Sequence, residues 1–267
     1  MRLLIVAVLT SLVTPTFAGC PPQLFGKGQP IKVTSKLLSR SDLTREEEFR
    51  IADAYTLGEG VPQDFVAGLT WYTRAANHGN VSAQLDVGIM FLEGCGTAVD
   101  HAAAFRWAER SASEGYIPAK SLLGTFYTNG TGVERDVARG IKLIREAADA
   151  KFPPAMFNLG VSYAHGIGVA RDNQQAVLWF ERAARADVPA AERALGTAYY
   201  YGSGVPRDTS KALHWFRRAA DHGDANSEYA LAVLYSRGIG VRQDNRESAL
   251  WLHRAQQHGA MTNAFVP

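Results

Sequence analysis

Apolar residues between positions 83 and 112 form two helical stripes that are separated by a short turn rich in glycine. The first stripe has the i, i+4, i+5, i+8 spacing of one helix face and consists of Ala83, Val87, Gly88 and Phe91. The second stripe consists of Ala104, Trp107, Ala108, Ser111 and Ala112. Gly94 and Gly96 lie between them, and glycine readily adopts the left-handed conformation that ends a helix. The pattern predicts a helix–turn–helix unit.

This unit recurs every 36 residues. Glycine pairs mark the predicted ends of the first helices at Gly58/Gly60, Gly94/Gly96, Gly130/Gly132, Gly166/Gly168, Gly202/Gly204 and Gly238/Gly240. Aspartates that we expect to cap the second helices follow at Asp64, Asp100, Asp136, Asp172, Asp208 and Asp244. Seven residues after each aspartate, in positions that we expect to form the core between helices, come Trp71, Trp107, Leu143, Trp179, Trp215 and Trp251. A constant period of this length predicts a repeat array, and such arrays typically bind other macromolecules.

One repeat shows the full motif. Its residues are Ala155, Leu159-Gly160, Tyr163, Gly166-Ile167-Gly168-Val169, Asp172, Ala176, Trp179 and Ala183-Ala184. This order resembles the Sel-one-like repeat family, which is related to the tetratricopeptide repeat. The resemblance implies an all-α fold, namely a right-handed α-solenoid of six 36-residue helix–turn–helix repeats over residues 44–259. It also implies a scaffold or regulator of the cell envelope that holds a protein or peptide partner.

The two ends of the chain differ from the repeats. Residues 1–19 are predicted to be a signal peptide, with Arg2 followed by a mostly apolar stretch from Leu3 to Val13. Residues 20–43 are rich in proline, glycine, lysine and serine and are predicted to be a linker, and residues 260–267 a C-terminal tail. Two processing sites fit the sequence: cleavage after Ala18, or cleavage before Cys20 with acylation of its thiol as in bacterial lipoproteins.

The two cysteines bear on that choice. The chain has only Cys20 and Cys95. If Cys20 is acylated, it anchors the protein to a membrane and Cys95 is a lone thiol; otherwise a Cys20–Cys95 disulfide is feasible in an oxidising compartment. Both hypotheses predict an exported protein, either in the periplasm or as an outer-membrane lipoprotein.

The charge of the chain does not indicate a nucleic-acid partner. It has 28 basic and 26 acidic residues and a net charge of +2, whereas nucleic-acid-binding proteins usually present a basic patch or a high pI. We therefore expect a protein or peptide partner and no nucleic acid.

The predicted binding surface is the face of each first helix that lies opposite its core stripe. This face is free to vary and should line the concave side of a solenoid. Tyrosine, arginine and phenylalanine are frequent in binding hot spots, and tyrosines and arginines on this face cluster in adjacent repeats of the C-terminal half. The predicted partner-binding residues are Phe157, His165, Arg193, Tyr200, Tyr201, Tyr229 and Arg237.

Catalytic motifs are absent from the sequence, so we expect no enzyme activity, cofactor or metal. The alternative is a hydrolase of cell-wall or β-lactam substrates, as described for cysteine-rich members of the resembling family. The sequence disfavours it, since it has no Ser-x-x-Lys and only two cysteines. It also lacks His-Glu-x-x-His and a phosphate-binding loop. His78, His222 and His258 each precede a glycine and are predicted to cap the C-terminal ends of second helices.

Overall fold

The computed structural model describes Cys20 and residues 31–260, and within them all regular structure is helical. The helices are α1 (Ser35–Leu38), α2 (Arg45–Leu57), α3 (Phe65–Asn77), α4 (Val81–Glu93), α5 (His101–Ser113), α6 (Ile117–Asn129), α7 (Val137–Asp149), α8 (Pro153–His165), α9 (Asn173–Ala184), α10 (Pro189–Tyr201), α11 (Thr209–Asp221), α12 (Ala225–Arg237) and α13 (Asn245–Gln257). None of these described helices is long and apolar enough to cross a membrane. The signal peptide predicted at residues 1–19 and the tail from residue 261 onward lie outside the described residues.

The helices group into two units, Met1–Ala150 and Lys151–Pro267. In the first unit, each helix from α2 to α7 packs against the next one along the chain. In the second unit, the helices from α8 to α13 pack in the same way. Contacts between sequence neighbours are the defining property of a solenoid. The predicted all-α solenoid of helix–turn–helix repeats is therefore confirmed.

The predicted caps are present in every repeat. The first glycine of each pair ends its helix in the left-handed conformation, with φ between 67° and 76°. Each aspartate accepts backbone N–H groups at the start of the next helix. The backbone N–H of the aspartate also donates to the carbonyl of the aromatic residue nine positions earlier, as between Asp100 and Phe91 at 2.9 Å. These bonds fix the turn that joins the two helices.

The second glycine of a pair lies where one repeat contacts the previous one. A Cβ atom at Gly132 would overlap the backbone carbonyl of His101, the first residue of α5. Gly96, Gly204 and Gly240 face the carbonyls of Phe65, Asn173 and Thr209 in the same way. Gly60 belongs to the first of the six repeats, and nothing lies within 4 Å of the position of its Cβ atom. The second glycine thus allows close packing of successive repeats within a unit.

The tryptophans only partly meet the prediction that they form the core. Trp179 and Trp251 are buried, but Trp71, Trp107 and Trp215 are only half-buried. The arginine three residues after each tryptophan places its guanidinium carbon 4.3 to 5.6 Å from the centroid of the indole ring. Trp71 and Trp107 still pack against the buried core of the first unit, so the core prediction is confirmed there only in part, and the stack on arginine is common to buried and half-buried indoles alike.

The segment predicted as a linker contains some regular structure. The short helix α1 lies within it, and the side chain of Leu43 is buried. Arg40 pairs with Glu47 at 2.7 Å. Glu47 also forms a capping box with Thr44 at the start of α2.

Candidate interaction surface

A cavity of about 360 Å³ lies among α8, α9 and α10, entirely within the second unit. Its lining residues are Phe157, Val161, Ala164, His165, Arg171, Asn173, Ala176, Val177, Phe180, Ala190, Arg193, Ala194, Thr197, Ala198 and Ser203. This volume is within the range of roughly 300–1,000 Å³ that is typical of ligand pockets. The lining is mostly apolar, with polar groups from α8, α9, α10 and the adjoining loops.

Small residues on α10 account for the space. Ala190, Ala194 and Ala198 lie four residues apart and line the cavity along one face of the helix. In the first three repeats, the position of Ala194 holds Arg50, Asp86 and Leu122, all of which are larger. Phe157 and Phe180 also line the cavity, and their rings pack with centroids 5.8 Å apart. The cavity therefore combines an aromatic wall with a wall of methyl groups.

Arg193 is held in place at the cavity. Its Nε donates to Oδ2 of Asp224 at 3.1 Å, and Asp224 in turn caps α12 by accepting from the backbone N–H of Ser227. The hydroxyl of Thr197 donates to the backbone carbonyl of Arg193. Asp224 therefore balances the charge of Arg193 from within the protein.

Arg171 differs from its counterparts in the other repeats. The arginine or glutamine at this position usually donates to the carbonyl seven residues earlier, and it does so at Gln63, Arg135, Arg207 and Gln243, over 2.8 to 3.1 Å. Arg171 forms no hydrogen bond or ion pair with any other described residue, and it is exposed. His165 is likewise exposed and has no such partner among the described residues.

The structure brings together three of the seven predicted partner-binding residues. Phe157, His165 and Arg193 line the cavity, whereas the others do not. Tyr201 is 52% exposed, Arg237 is exposed, and Tyr229 is half-buried against the core of the last two repeats.

Tyr200 does not fit its predicted role. Its ring is 6% exposed and belongs to the core of the last two repeats. It lies 4.9 Å from the ring of Tyr201, in an edge-on contact. We therefore exclude Tyr200 from the partner surface, since a partner could not reach it without disturbing this core.

Comparison with known proteins identifies the family. The model of the Sel1 repeat matches six consecutive segments, at residues 48–80, 81–116, 117–152, 153–188, 189–224 and 225–259. The chain belongs to the Sel1 repeat family. A search of curated proteins finds none that matches it.

Solved structures resemble the Sel1 repeats of this chain. A Sel1 repeat protein from Oxalobacter formigenes is 29% identical, with a TM-score of 0.76, and the match covers 83% of this chain and 92% of that one. The protective antigen c5321 of uropathogenic Escherichia coli is 27% identical, with a TM-score of 0.65 over 80% of this chain and 46% of that one. The immunity protein PA5088 from Pseudomonas aeruginosa is 16% identical, with a TM-score of 0.61 over 89% and 90% of the two chains, and shares the fold.

Three Sel1 repeats contain an ion-pair cluster that the sequence analysis missed. Each cluster has a wholly buried glutamate on the first helix, and an arginine and a histidine near the end of the second helix. The sets are Glu48/Arg74/His78, Glu192/Arg218/His222 and Glu228/Arg254/His258. The predicted C-terminal caps at the three histidines are confirmed. The recurrence of glutamate at multiples of 36 residues was the signal that could have revealed these clusters.

The cluster in the fifth repeat also includes an exposed aspartate. The ligand atoms of Asp187, Glu192 and His222 lie within 4.8 Å of one another, a spacing that a metal ion could use. The guanidinium of Arg218 binds both carboxylates, at 2.7 Å to Asp187 and 2.6 Å to Glu192. A cation would have to displace this guanidinium, so we assign the cluster to the ion pairs that join the two helices of the repeat.

The two cysteines lie together in the first unit. Cys20 and Cys95 form a disulfide, with their Cα atoms 5.7 Å apart. Cys95 is buried between Gly94 and Gly96, and Cys20 packs against the same apolar core. The bond therefore attaches the start of the predicted linker to the turn of the second repeat.

Proposed function

We propose that this Sel1 repeat protein is a non-enzymatic scaffold or regulator of the bacterial cell envelope that binds a protein partner at the cavity among α8, α9 and α10. Sel1 repeat proteins generally mediate interactions between proteins. The observation that carries the proposal is the position of the cavity. It lies on the variable face of the first helices, where Phe157, His165 and Arg193 are joined by Val161 and Thr197.

The chemistry of the cavity supports a binding role rather than catalysis. His165 is the only histidine in its lining, which contains no carboxylate and no cysteine. A hydrolase of the serine type needs a base next to its nucleophile, and a third group that orients the base. The lining offers His165 no carboxylate of the kind that orients the base in a Ser-His-Asp triad.

We further propose that the chain is exported and retains its disulfide. The apolar segment from Leu3 to Val13 supports export. The disulfide supports an oxidising compartment such as the periplasm. Because the sulfur of Cys20 cannot carry both a lipid and a disulfide, this proposal favours a periplasmic protein over an acylated outer-membrane lipoprotein.

The proposal is tested by blocking the cavity. Val161→Arg places a long charged side chain in the cavity, whereas Leu178→Arg alters α9 at an exposed position that does not line it. Tagged wild-type protein and both variants are expressed in the native host, and the proteins that co-purify are quantified by mass spectrometry. We expect a partner that wild type and Leu178→Arg retain and Val161→Arg loses. Equal retention by both variants, with both folded, would contradict the assignment of the cavity.

A further inference from the structure

We propose that the cavity binds an acidic peptide segment of the partner, with an apolar side chain inserted between α8 and α10 and a neighbouring carboxylate bound by Arg171. This inference rests on the proposed function and adds the chemistry of the partner to it. Three features of the cavity carry it: a guanidinium with no partner among the described residues, a lining without acidic residues, and an apolar interior.

The guanidinium of Arg171 is available to a ligand. Its counterparts Arg135 and Arg207 use Nε to bind a backbone carbonyl, over 2.9 and 3.1 Å. Arg171 has the same position in its repeat and lines the cavity, yet it binds no other described residue. Arginine presents several N–H donors in a plane that matches a carboxylate, and such charge-assisted pairs are stronger than neutral hydrogen bonds.

His165 adds a second possible donor to the lining of the cavity. It ends α8, six residues before Arg171, and both side chains line the cavity and are exposed. His78, His222 and His258 each bind a buried glutamate, whereas His165 has no described partner. Its imidazole is therefore free to hydrogen-bond a ligand.

The acidic groups near the cavity are already bound within the protein. Asp172 accepts from the backbone N–H groups of Gln174 and Gln175 as the cap of α9. Asp224 binds Arg193 and caps α12. Neither lines the cavity, so the surface offered to a ligand has basic side chains and no acidic ones. This charge distribution complements an acidic segment and disfavours a basic one.

The apolar interior of the cavity requires an apolar side chain in the partner segment. Phe157 and Phe180 form one wall and the alanines of α10 the other. A leucine or phenylalanine side chain of the partner would be removed from water there, which is the main source of affinity at such anchors. The exposed position of Arg171 indicates that the carboxylate belongs to a segment that crosses the mouth, and not to a chain end buried inside.

The test uses fluorescein-labelled peptides and the full mature chain, with binding measured by fluorescence polarisation. The peptides carry one phenylalanine or leucine flanked on both sides by two glutamates, and matched peptides replace the glutamates by glutamine or by lysine. We expect the glutamate peptides to bind at least tenfold more tightly than the glutamine peptides, and the lysine peptides to bind most weakly. We also expect Val161→Arg to abolish binding.

Arg171→Gln provides the decisive variant, because glutamine occupies this position at Gln63 and Gln243 and is compatible with the repeat. It should weaken binding of the glutamate peptides at least fivefold and remove most of the preference over glutamine. The matched control is Arg207→Gln, whose arginine binds the carbonyl of Tyr200, and it should bind as wild type does.

Three results would overturn the inference: no binding by any glutamate peptide, equal binding of the glutamate and glutamine peptides, or equal losses in Arg171→Gln and Arg207→Gln. None of them bears on whether a partner occupies the cavity, since the co-purification experiment with Val161→Arg decides that separately. Failure of the acidic preference and failure of the proposed function can therefore be told apart.

Discussion

Oε2 of Glu192 lies 2.9 Å from Nδ1 of His222, although 30 residues separate them and the glutamate is wholly buried. The same carboxylate also binds Nε of Arg218 at 2.6 Å. A buried carboxylate is costly unless it is paired, so the two residues at the end of α11 compensate the charge on α10. This relationship ties the two helices of the fifth repeat together, and it recurs in the first and sixth repeats.

Removal of Arg218 should leave the charge of the buried Glu192 only partly compensated. We expect Arg218→Met to lower the free energy of unfolding by about 3 kcal/mol, the scale found when one partner of a buried pair is lost. Denaturant unfolding followed by circular dichroism measures it.

The matched control for this change is Arg182→Met in the fourth repeat. Arg182 also stacks on a tryptophan, but the position of the buried glutamate there is occupied by Met156. Loss of the cation–π contact alone should cost about 1 kcal/mol or less. If both variants lose the same stability, the ion pair is not what makes Arg218 important.

The helix ends and turns could be predicted from the sequence because caps and turns depend on local chemistry. Gly94 and Asp100 act through backbone bonds within a few residues, so their spacing was sufficient. Glu192 and His222 pair across a hairpin, and only their recurrence at the repeat period could have indicated it.

The candidate site was less predictable, because it depends on residues that differ between repeats. The cavity lies where α10 carries alanines, such as Ala194. Arg171 in its lining binds no other described residue, whereas Arg135 and Arg207 each bind a backbone carbonyl. Tyr200 and Tyr201 are neighbours in sequence and their rings are in contact, yet Tyr200 is in the core and Tyr201 is exposed. A prediction based on one helix stripe could not tell the buried tyrosine from the exposed one.

The second glycine of each pair gives another prediction. Gly132→Ala should be more destabilising than Gly60→Ala, although both glycines have a positive φ. The strained backbone costs about 1–2 kcal/mol at either site. Only Gly132 faces a backbone carbonyl, that of His101, and the overlap should add about 1–3 kcal/mol.

Thermal and denaturant unfolding of the two glycine variants provide the comparison. Equal losses at the two sites would mean that the second glycine serves only its own turn, and that it has no role in the packing of successive repeats.

The disulfide should contribute substantially to stability. The bond closes a loop with a sequence separation of 75, for which the chain-entropy model gives about 4 kcal/mol. We expect Cys20→Ser to lower the free energy of unfolding of the mature protein by about 2–4 kcal/mol.

Mass spectrometry of the protein purified from its native host tests the disulfide itself. We expect a peptide containing Cys20 linked to one containing Cys95, and no free thiol before reduction. A lipid adduct on Cys20, with a free thiol at Cys95, would instead establish the lipoprotein.

A buried tyrosine should make the stability depend on alkaline pH. Burial, together with the nearby carboxylates of Asp86 and Asp53, raises the pKa of Tyr72 well above its ordinary value of 10.0. Above that pH the unfolded chain releases the phenolic proton while the folded chain retains it, so stability falls as the pH rises. Below pH 10 the contribution is fully present.

Tyr72→Phe isolates this effect. The variant loses the hydrogen bond to the buried carboxylate of Asp53 and should be less stable at neutral pH by about 1.5–3 kcal/mol. The difference from wild type should shrink as the pH rises above 10, since only wild type has this phenol to ionise. A constant difference up to about pH 11 would show that Tyr72 does not contribute.

The central claim, that a protein partner occupies the cavity, is tested most directly by crosslinking in living cells. A photoreactive amino acid is placed at Ser203, which is exposed and lines the cavity, and separately at Leu178, which is exposed on α9 and does not. The account predicts that ultraviolet light produces one specific adduct from position 203, and that Val161→Arg removes it. An adduct from position 178 but not from 203, or one from 203 that Val161→Arg leaves unchanged, would contradict it.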